Sequence, residues 1–413
     1  MNYKALFLIL FTLEHIYQLI LNLVQSRSAS NPTPANVADV YDRETYERWR
    51  AYHGEKSRLT LWRTLVSWAL TMVLLMTGFH AWAASLFPAN TFMQLLGVIL
   101  AQTLAETVVF MGFSWVDTMV IEQKYGFNKT TVRTFVIDQV RSFVIEIVLG
   151  VILMGLLAWL HISMGDWVVV LFTGAVFALT LAISFLYGPV FSRLGNKFVP
   201  LEDGELKDKL LSLLTKHGYQ VKSIEVMDAS RRTTKLNAYF TGFGKLKSIV
   251  LYDNLVNSMS TDEIVAVFAH ELGHGLNKDV LKQQIMNLGN LLLMAIAVWL
   301  TIRTPVMHEA FGFAEVNYGF AFVLLSGLLG LIQPLTGMAM NAYSRHAEYR
   351  ADAQAVKEGY GEALVGGLKK LARENFSNLA PSKALVVLEY SHPPLSERIA
   401  AIENKQRPHS SSR

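Results

Sequence analysis

Seven stretches of this chain are each long and apolar enough to cross a lipid bilayer as a helix, which restricts it to a polytopic membrane protein. A crossing helix needs about 20 predominantly apolar residues. The stretches lie near Leu6–Val24, Leu65–Phe87, Phe92–Trp115, Phe143–Leu160, Trp167–Leu186, Ile285–Ile302 and Tyr318–Met340. The second, fifth, sixth and seventh contain no Lys, Arg, Asp or Glu. The first carries Glu14 and His15 mid-run and is followed by no evident small-residue cleavage site, so it reads as a span rather than a signal peptide. Charged residues make up only 17% of the chain, against about a quarter in soluble domains. The expected fold class is mostly α.

Loop charge orients the spans. The segment Gln25–Leu59 carries Arg27, Arg43, Arg48, Arg50, Lys56 and Arg58, and Ile121–Arg141 carries Lys124, Lys129, Arg133 and Arg141. The connections Pro88–Thr91, His161–Asp166 and Thr304–Asn317 contain no Lys or Arg. Cytoplasmic loops accumulate positive charge. The basic loops and the C-terminus are therefore expected inside, and the N-terminus outside. Residues 1–190 form a membrane domain of five spans. Residues 191–413 form a second domain that includes the last two spans. Two large soluble segments are expected to share the cytoplasmic side, one between spans five and six, from Gly188 to Val280, and one after span seven. The first reads as a polar helix over Glu205–Lys216 and short strands around Val221–Met227, Asn237–Phe243 and Ser248–Tyr252. A capping-box signature, Ser260-Thr261-Asp262-Glu263, then opens an apolar helix.

The chain has no cysteine, which excludes disulfides, thiolate metal sites and cysteine nucleophiles. A net charge of +4, dispersed along the chain, gives no footprint for nucleic acid; it fits basic loops beside a bilayer. Any metal must be held by His, Asp or Glu, and the capped helix carries His270-Glu271-Leu272-Gly273-His274. Residues four apart share a helix face, so both imidazoles can reach one ion, with Glu271 beside it as the base for a water molecule. A catalytic zinc takes three protein ligands and keeps one position open. Glu348 is the candidate third ligand, in a helix that continues out of the last span. Asp352, four residues on, can accept the outer N–H of a ligating histidine. Arg345, one turn earlier, is expected to orient either carboxylate. His346 points off this face.

These motifs, together with Ser391-His392-Pro393-Pro394-Leu395-Ser396-Glu397-Arg398, resemble the integral-membrane CAAX prenyl protease 1 family. So do Glu122-Gln123-Lys124-Tyr125-Gly126-Phe127-Asn128 and Asn237-Ala238-Tyr239-Phe240-Thr241-Gly242-Phe243. The resemblance extends from about Tyr41 to Ile402. The smaller membrane heat-shock zinc peptidases share the metal motifs but have fewer spans. The resemblance implies a barrel of seven tilted helices around a water-filled chamber, capped by an α+β zinc metallopeptidase domain. Such a chamber accounts for Glu106, Asp117, Asp138, Arg141 and Glu146 within or at the ends of apolar runs. It implies that His392 lies at the active site, where it can donate to the oxyanion, and that Asn237 lies near substrate. Asn237, Ala238, Tyr239 and Phe240 sit on an expected edge strand, to which an extended peptide could add.

The expectation is therefore a zinc metalloendopeptidase with one Zn²⁺ per chain, acting on peptide or protein substrates at the lipid bilayer. Glu271 would take the proton of the attacking water and return it to the leaving amine. The family name implies prenylated CAAX-type C-termini; membrane-associated or misfolded proteins are the other substrates considered. The chain is short for a eukaryotic member and lacks an evident endoplasmic-reticulum retrieval signal. A bacterial inner membrane is expected, with the endoplasmic reticulum as the alternative. A rival reading is a transporter or channel with a regulatory zinc site, which would have no use for Glu271. Oligomeric state is not legible.

Overall fold

The computed structural model describes residues 2–87, 90–186, 193, 196–231, 233, 236–241 and 246–407. Within the segments named above, Pro88, Gly188, Gly242 and Phe243 lie outside the described residues. Each apolar stretch is the body of a helix, and polar side chains cap several of them. Asn2 caps α1 (Tyr3–Ser28), Asn90 caps α4 (Thr91–Trp115) and Thr131 caps α5 (Val132–Met164), each accepting from free first-turn amides. Backbone donors left bare at the membrane border would be costly, because little water reaches them.

The expected second span is interrupted. α2 (Arg43–Met76) starts far upstream of the apolar run, capped by Asp42, so its polar first half precedes the membrane-crossing part. It ends at Gly78, whose φ of +73° suits glycine, and the chain resumes as the short α3 (Phe79–Ser85). α4 passes into a π-helical turn over Val116–Glu122. There Lys56 bridges Asp117 and Glu122 (3.1 Å to Glu122), which explains the charge at the end of that span.

Among the described residues, six continuous helical stretches are long and apolar enough to cross a membrane. One of them, Val132–Ser184, has 53 residues and would measure about 80 Å if straight, more than twice the hydrocarbon core. It breaks at Gly165 (φ +56°) into α5 and α6 (Val168–Leu186), which pack on each other through Leu157, Leu160, Val168 and Phe172. With this hairpin the spans number seven. The sixth is α10 (Asp279–Arg303). The seventh is α12 (Tyr318–Lys357), which runs well beyond its apolar part.

The remainder is α+β. A four-stranded sheet has the order β1 (Phe198–Pro200), β2 (Gln220–Met227), β4 (Leu246–Tyr252), β3 (Ala238–Thr241). β2 and β4 are parallel and the outer pairings antiparallel. β1 was not foreseen, because three residues are too few to show alternation. Ile249 and Leu251 of β4 pack with Leu210 and Leu214 of α7 (Glu205–Lys216) and with Val265 and Phe268 of α9 (Thr261–Leu276). This core fixes α9 against the sheet.

The basic segments lie together. Val37, Tyr41 and Trp49 from the first loop, Tyr125 and Phe127 from the third, and Phe376, Leu379 and Ile399 from the C-terminal region form one buried cluster. Trp49 Nε1 donates to the Phe376 carbonyl at 3.1 Å, and Tyr41 Oη to that of Ala372 at 2.9 Å. On the opposite connections, Arg303 pairs with Asp166 at 2.9 Å.

Candidate metal centre

α9 begins with the capping box legible in the sequence. The Glu263 amide donates to Ser260 Oγ at 3.3 Å, and the Ser260 amide to Glu263 Oε2 at 2.8 Å. Its core-facing side holds the helix while the next turns present His270 and His274. Between them, Gly273 allows α12 to approach backbone to backbone: a Cβ there would stand 2.7 Å from the Ala351 Cα. That contact delivers Glu348 and Asp352, both buried, from α12 to the two imidazoles.

His270, His274 and Glu348 place one ligand atom each within 4.8 Å of one another. Glu348 Oε2 lies 3.5 Å from His270 Nε2, and Glu348 Oε1 lies 3.3 Å from His274 Nε2. The outer nitrogens are engaged elsewhere: His270 Nδ1 with Asp352 Oδ1 at 2.8 Å, and His274 Nδ1 with Asp279 Oδ2 at 3.0 Å. A carboxylate only accepts, so each Nδ1 carries its proton. For neutral rings this turns two lone pairs towards each other, with the Nε2 atoms 3.2 Å apart. Glu348 Oε2 is buried and makes no well-formed hydrogen bond, although Arg398 Nη1 stands 3.1 Å away. Converging lone pairs and an under-satisfied buried carboxylate offer a cation one donor atom from each of three side chains, so these residues fit a metal ion. The same field acts on a proton. Burial would lower the His274 pKa, but the hydrogen bonds to Glu348 and Asp279 outweigh it and raise the value to about 9.

Arg398, on α15 (Leu395–Gln406), is buried against Asp352, with Nε 2.9 Å from Oδ2 and Nη2 2.6 Å from Oδ1. Burial opposes its charge, yet Asp352 and then Glu348 hold its pKa above the ordinary value. Arg398 thus does what was expected of Arg345. Arg345 touches neither carboxylate. Its Nη1 donates to the carbonyls of Val386 and Tyr390, at 2.8 and 2.6 Å, where α14 (Lys383–Glu389) ends. Arg345 does stand one turn before Glu348 on α12, but its guanidinium is taken up by the carbonyls at the end of α14. His346 is exposed.

His392 follows that turn. Its Nε2 lies 3.3 Å from Glu348 Oε1 and its side chain is 63% exposed, while Nδ1 meets Ser391 Oγ at 2.9 Å. Glu271, half-buried, is the residue after His270 on α9. Among the described residues β3 pairs only with β4, with Ala238, Tyr239 and Phe240 opposite Leu251, Val250 and Ile249, so its outer edge is free of strands. Asn237 is exposed just before it, and its Oδ1 accepts from the Ala238 amide at 2.9 Å.

The sequence reading missed Asp279 and Arg398 as partners of the ligands. Arg398 was on view in the His392 segment. Asp279 comes five residues after His274 at the start of the next helix, with no periodic pattern to mark it.

A metal-fitting triad, two of its members on an HExxH helix and the third on α12, set on seven membrane-crossing helices, defines a membrane-embedded metallopeptidase. Comparison with known proteins agrees. Residues 5–197 match the model of the CAAX prenyl protease N-terminal region with five membrane helices, and residues 200–406 match peptidase family M48. The chain is 32% identical over 406 residues to the CAAX prenyl protease 1 homolog of Oryza sativa subsp. japonica, covering 95% of each. It is 31% identical to CAAX prenyl protease 1 of Saccharomyces cerevisiae, covering 90% of this chain and 88% of that one. The crystal structure of S. mikatae Ste24p aligns with a TM-score of 0.87 at 28% identity, over 97% of this chain and 99% of that chain. The chain belongs to the CAAX prenyl protease 1 family and is an integral-membrane metalloendopeptidase, its helices surrounding a chamber beneath the α+β domain.

Proposed function

We propose that the metal is a single zinc ion held by His270, His274 and Glu348, and that the protein hydrolyses extended peptide segments presented at the membrane. The observation that carries this is the approach of the two imidazole Nε2 atoms to 3.2 Å with both Nδ1 atoms committed to carboxylates. Two imidazoles and one carboxylate, with no thiolate, form a donor set that suits zinc and leaves a coordination position open. A zinc ion so placed would polarise a carbonyl and acidify water.

Glu271 accepts the proton of the attacking water and passes it to the departing amine. Asp352 and Asp279 keep the two histidines in the Nδ1–H tautomer. His392 faces the same space as Glu348 Oε1 and donates to the oxygen on which charge develops. Asn237 and the outer edge of β3, which pairs with no other strand among the described residues, would grip substrate backbone by adding it as a further strand, which holds many sequences alike. The names of the relatives point to CAAX-type C-termini, and misfolded membrane proteins suit the same backbone grip. Residues 1–190 would then be the membrane domain and 191–413 the peptidase domain.

The basic segments that cluster together support a cytoplasmic side for the peptidase domain and the C-terminus; a bacterial inner membrane is the favoured location, with the endoplasmic reticulum as the alternative. Reporter fusions at Asn90 and at the C-terminus test this; an outside signal from the C-terminal fusion overturns it. For activity, the purified protein is incubated with a farnesylated CAAX peptide and an unmodified control, with and without a chelator. Hydrolysis that survives complete metal removal refutes the mechanism.

A further inference from the structure

The geometry points to Asp279 as the positioning residue for His274, locked by Tyr343 and Arg350, so that the metal centre is tied directly to two membrane-crossing helices. Asp279 is the first residue of α10 and is 2% exposed. Its Oδ2 faces His274 Nδ1 at 3.0 Å. Its Oδ1 accepts from Tyr343 Oη at 2.8 Å and from Arg350 Nη2 at 2.7 Å. Tyr343 and Arg350 are seven residues apart on one face of α12, and Arg350 Nη2 also reaches Tyr343 Oη at 3.3 Å. Both carboxylate oxygens are therefore aimed, one at the ligand and one at its anchors.

A plainer account would make Asp279 an acid that stabilises the start of α10. That role needs neither burial nor partners, and an aspartate serving it would stand in solvent. The backbone argues the same way. Lys278, just before it, adopts φ +55° and ψ +38°, a left-handed conformation uncommon outside glycine. The chain accepts this turn between α9 and α10, and it is the turn that swings Asp279 back under His274. The arrangement repeats the other half of the centre, where Arg398 holds Asp352 and Asp352 holds His270. In both halves an arginine fixes an aspartate that fixes a histidine. The difference is in where the parts come from: Asp279 begins one span and its anchors extend another. A shift of α10 against α12 would move the imidazole itself.

This inference rests on the reading that His270, His274 and Glu348 hold the ion. Full-length protein in detergent is stripped with a chelator and titrated with Zn²⁺ against a chromophoric competitor, and the unfolding temperature of the stripped protein is followed in parallel. Asp279→Asn, which keeps the shape and loses the charge, is expected to weaken zinc binding about 10- to 100-fold, with the metal-free unfolding temperature close to wild type. Tyr343→Phe, which removes one hydroxyl, is expected to weaken it about 2- to 10-fold, the worth of one hydrogen bond. Asp279→Glu restores part of the affinity that Asp279→Asn loses. Wild-type affinity in Asp279→Asn overturns the assignment. Should Asp279→Asn fail to fold, Tyr343→Phe decides: unchanged affinity there overturns it equally. His274→Ala separates the two readings: full zinc occupancy in that variant defeats the ligand assignment and this role of Asp279 with it, whereas loss of zinc there together with wild-type affinity in Asp279→Asn overturns the positioning role alone.

Discussion

Arg398 grips Asp352 with two parallel hydrogen bonds, Nε to Oδ2 at 2.9 Å and Nη2 to Oδ1 at 2.6 Å, both groups buried. This fork joins α15 to α12 at the point where Asp352 holds His270. A guanidinium can satisfy both carboxylate oxygens at once, whereas an ammonium is a single point charge. Arg398→Lys should therefore lower metal affinity while leaving the fold intact. Arg398→Ala strands a buried carboxylate and should cost about 3–5 kcal/mol of stability. Chelator competition and thermal unfolding measure the two effects. If Arg398→Lys bound zinc like the wild type, the fork would be structural only.

A second prediction concerns Gly273, where α9 and α12 meet. An alanine there gains about 1 kcal/mol of helix propensity, but its Cβ would sit 2.7 Å from the Ala351 Cα, which cannot swing aside as a flexible side chain does. Overpacking of this kind typically costs about 1–3 kcal/mol, and here it also moves Glu348 away from the histidines. Gly273→Ala should lower both the unfolding temperature and zinc affinity. A rise in unfolding temperature would show that the helices have room to part.

Much of this was legible beforehand, and for physical reasons. Membrane spans leave long apolar runs because lipid tolerates little else, so each span was found as a helix, although α2, α5 and α12 extend well beyond their apolar parts. The pairing of His270 with His274 was legible because an i, i+4 pair on a helix leaves a fixed spacing. What the sequence hid were relations between distant segments. Gly78 splits the second span where hydropathy is continuous. Arg345 and Arg398 are equally basic in the sequence, and only the packing of α15 on α12 decides which of them reaches Asp352. The order β1-β2-β4-β3 follows from a parallel crossover that no local pattern encodes.

A third prediction separates base from ligand. Glu271→Gln removes a proton acceptor at nearly constant volume, so zinc stays bound while peptide hydrolysis is abolished. Glu348→Ala removes a ligand and leaves the buried Arg398 without one of its anionic neighbours, 3.1 Å away. It should lose both zinc and activity, as should His270→Ala. Metal content by atomic absorption, read beside turnover, decides the matter; full occupancy in Glu348→Ala defeats the assignment.

The last prediction concerns His392, an imidazole beside Glu348 that does not lie on the HExxH helix. Its Nε2 stands 3.3 Å from Glu348 Oε1, and its side chain is 63% exposed, so an incoming carbonyl can reach it. Ser391 Oγ lies 2.9 Å from Nδ1. When the hydroxyl donates there, the ring proton is left on Nε2, facing the site, which is the tautomer an oxyanion donor needs. Arg345 fixes the approach to this segment by binding the carbonyls of Val386 and Tyr390. His392→Ala should therefore lower kcat by about 10²–10³-fold with little change in KM, the pattern for losing a donor used only in the transition state. Ser391→Ala should give a smaller loss in kcat, because it frees the tautomer without removing the ring. Asn237→Ala, at the entrance to the β3 edge, should change both terms if, as proposed, the side chain holds peptide in register and stabilises no charge. Steady-state kinetics on one peptide substrate compares all three. A rise in KM alone for His392→Ala would make the histidine a binding residue and would move the scissile carbonyl away from it.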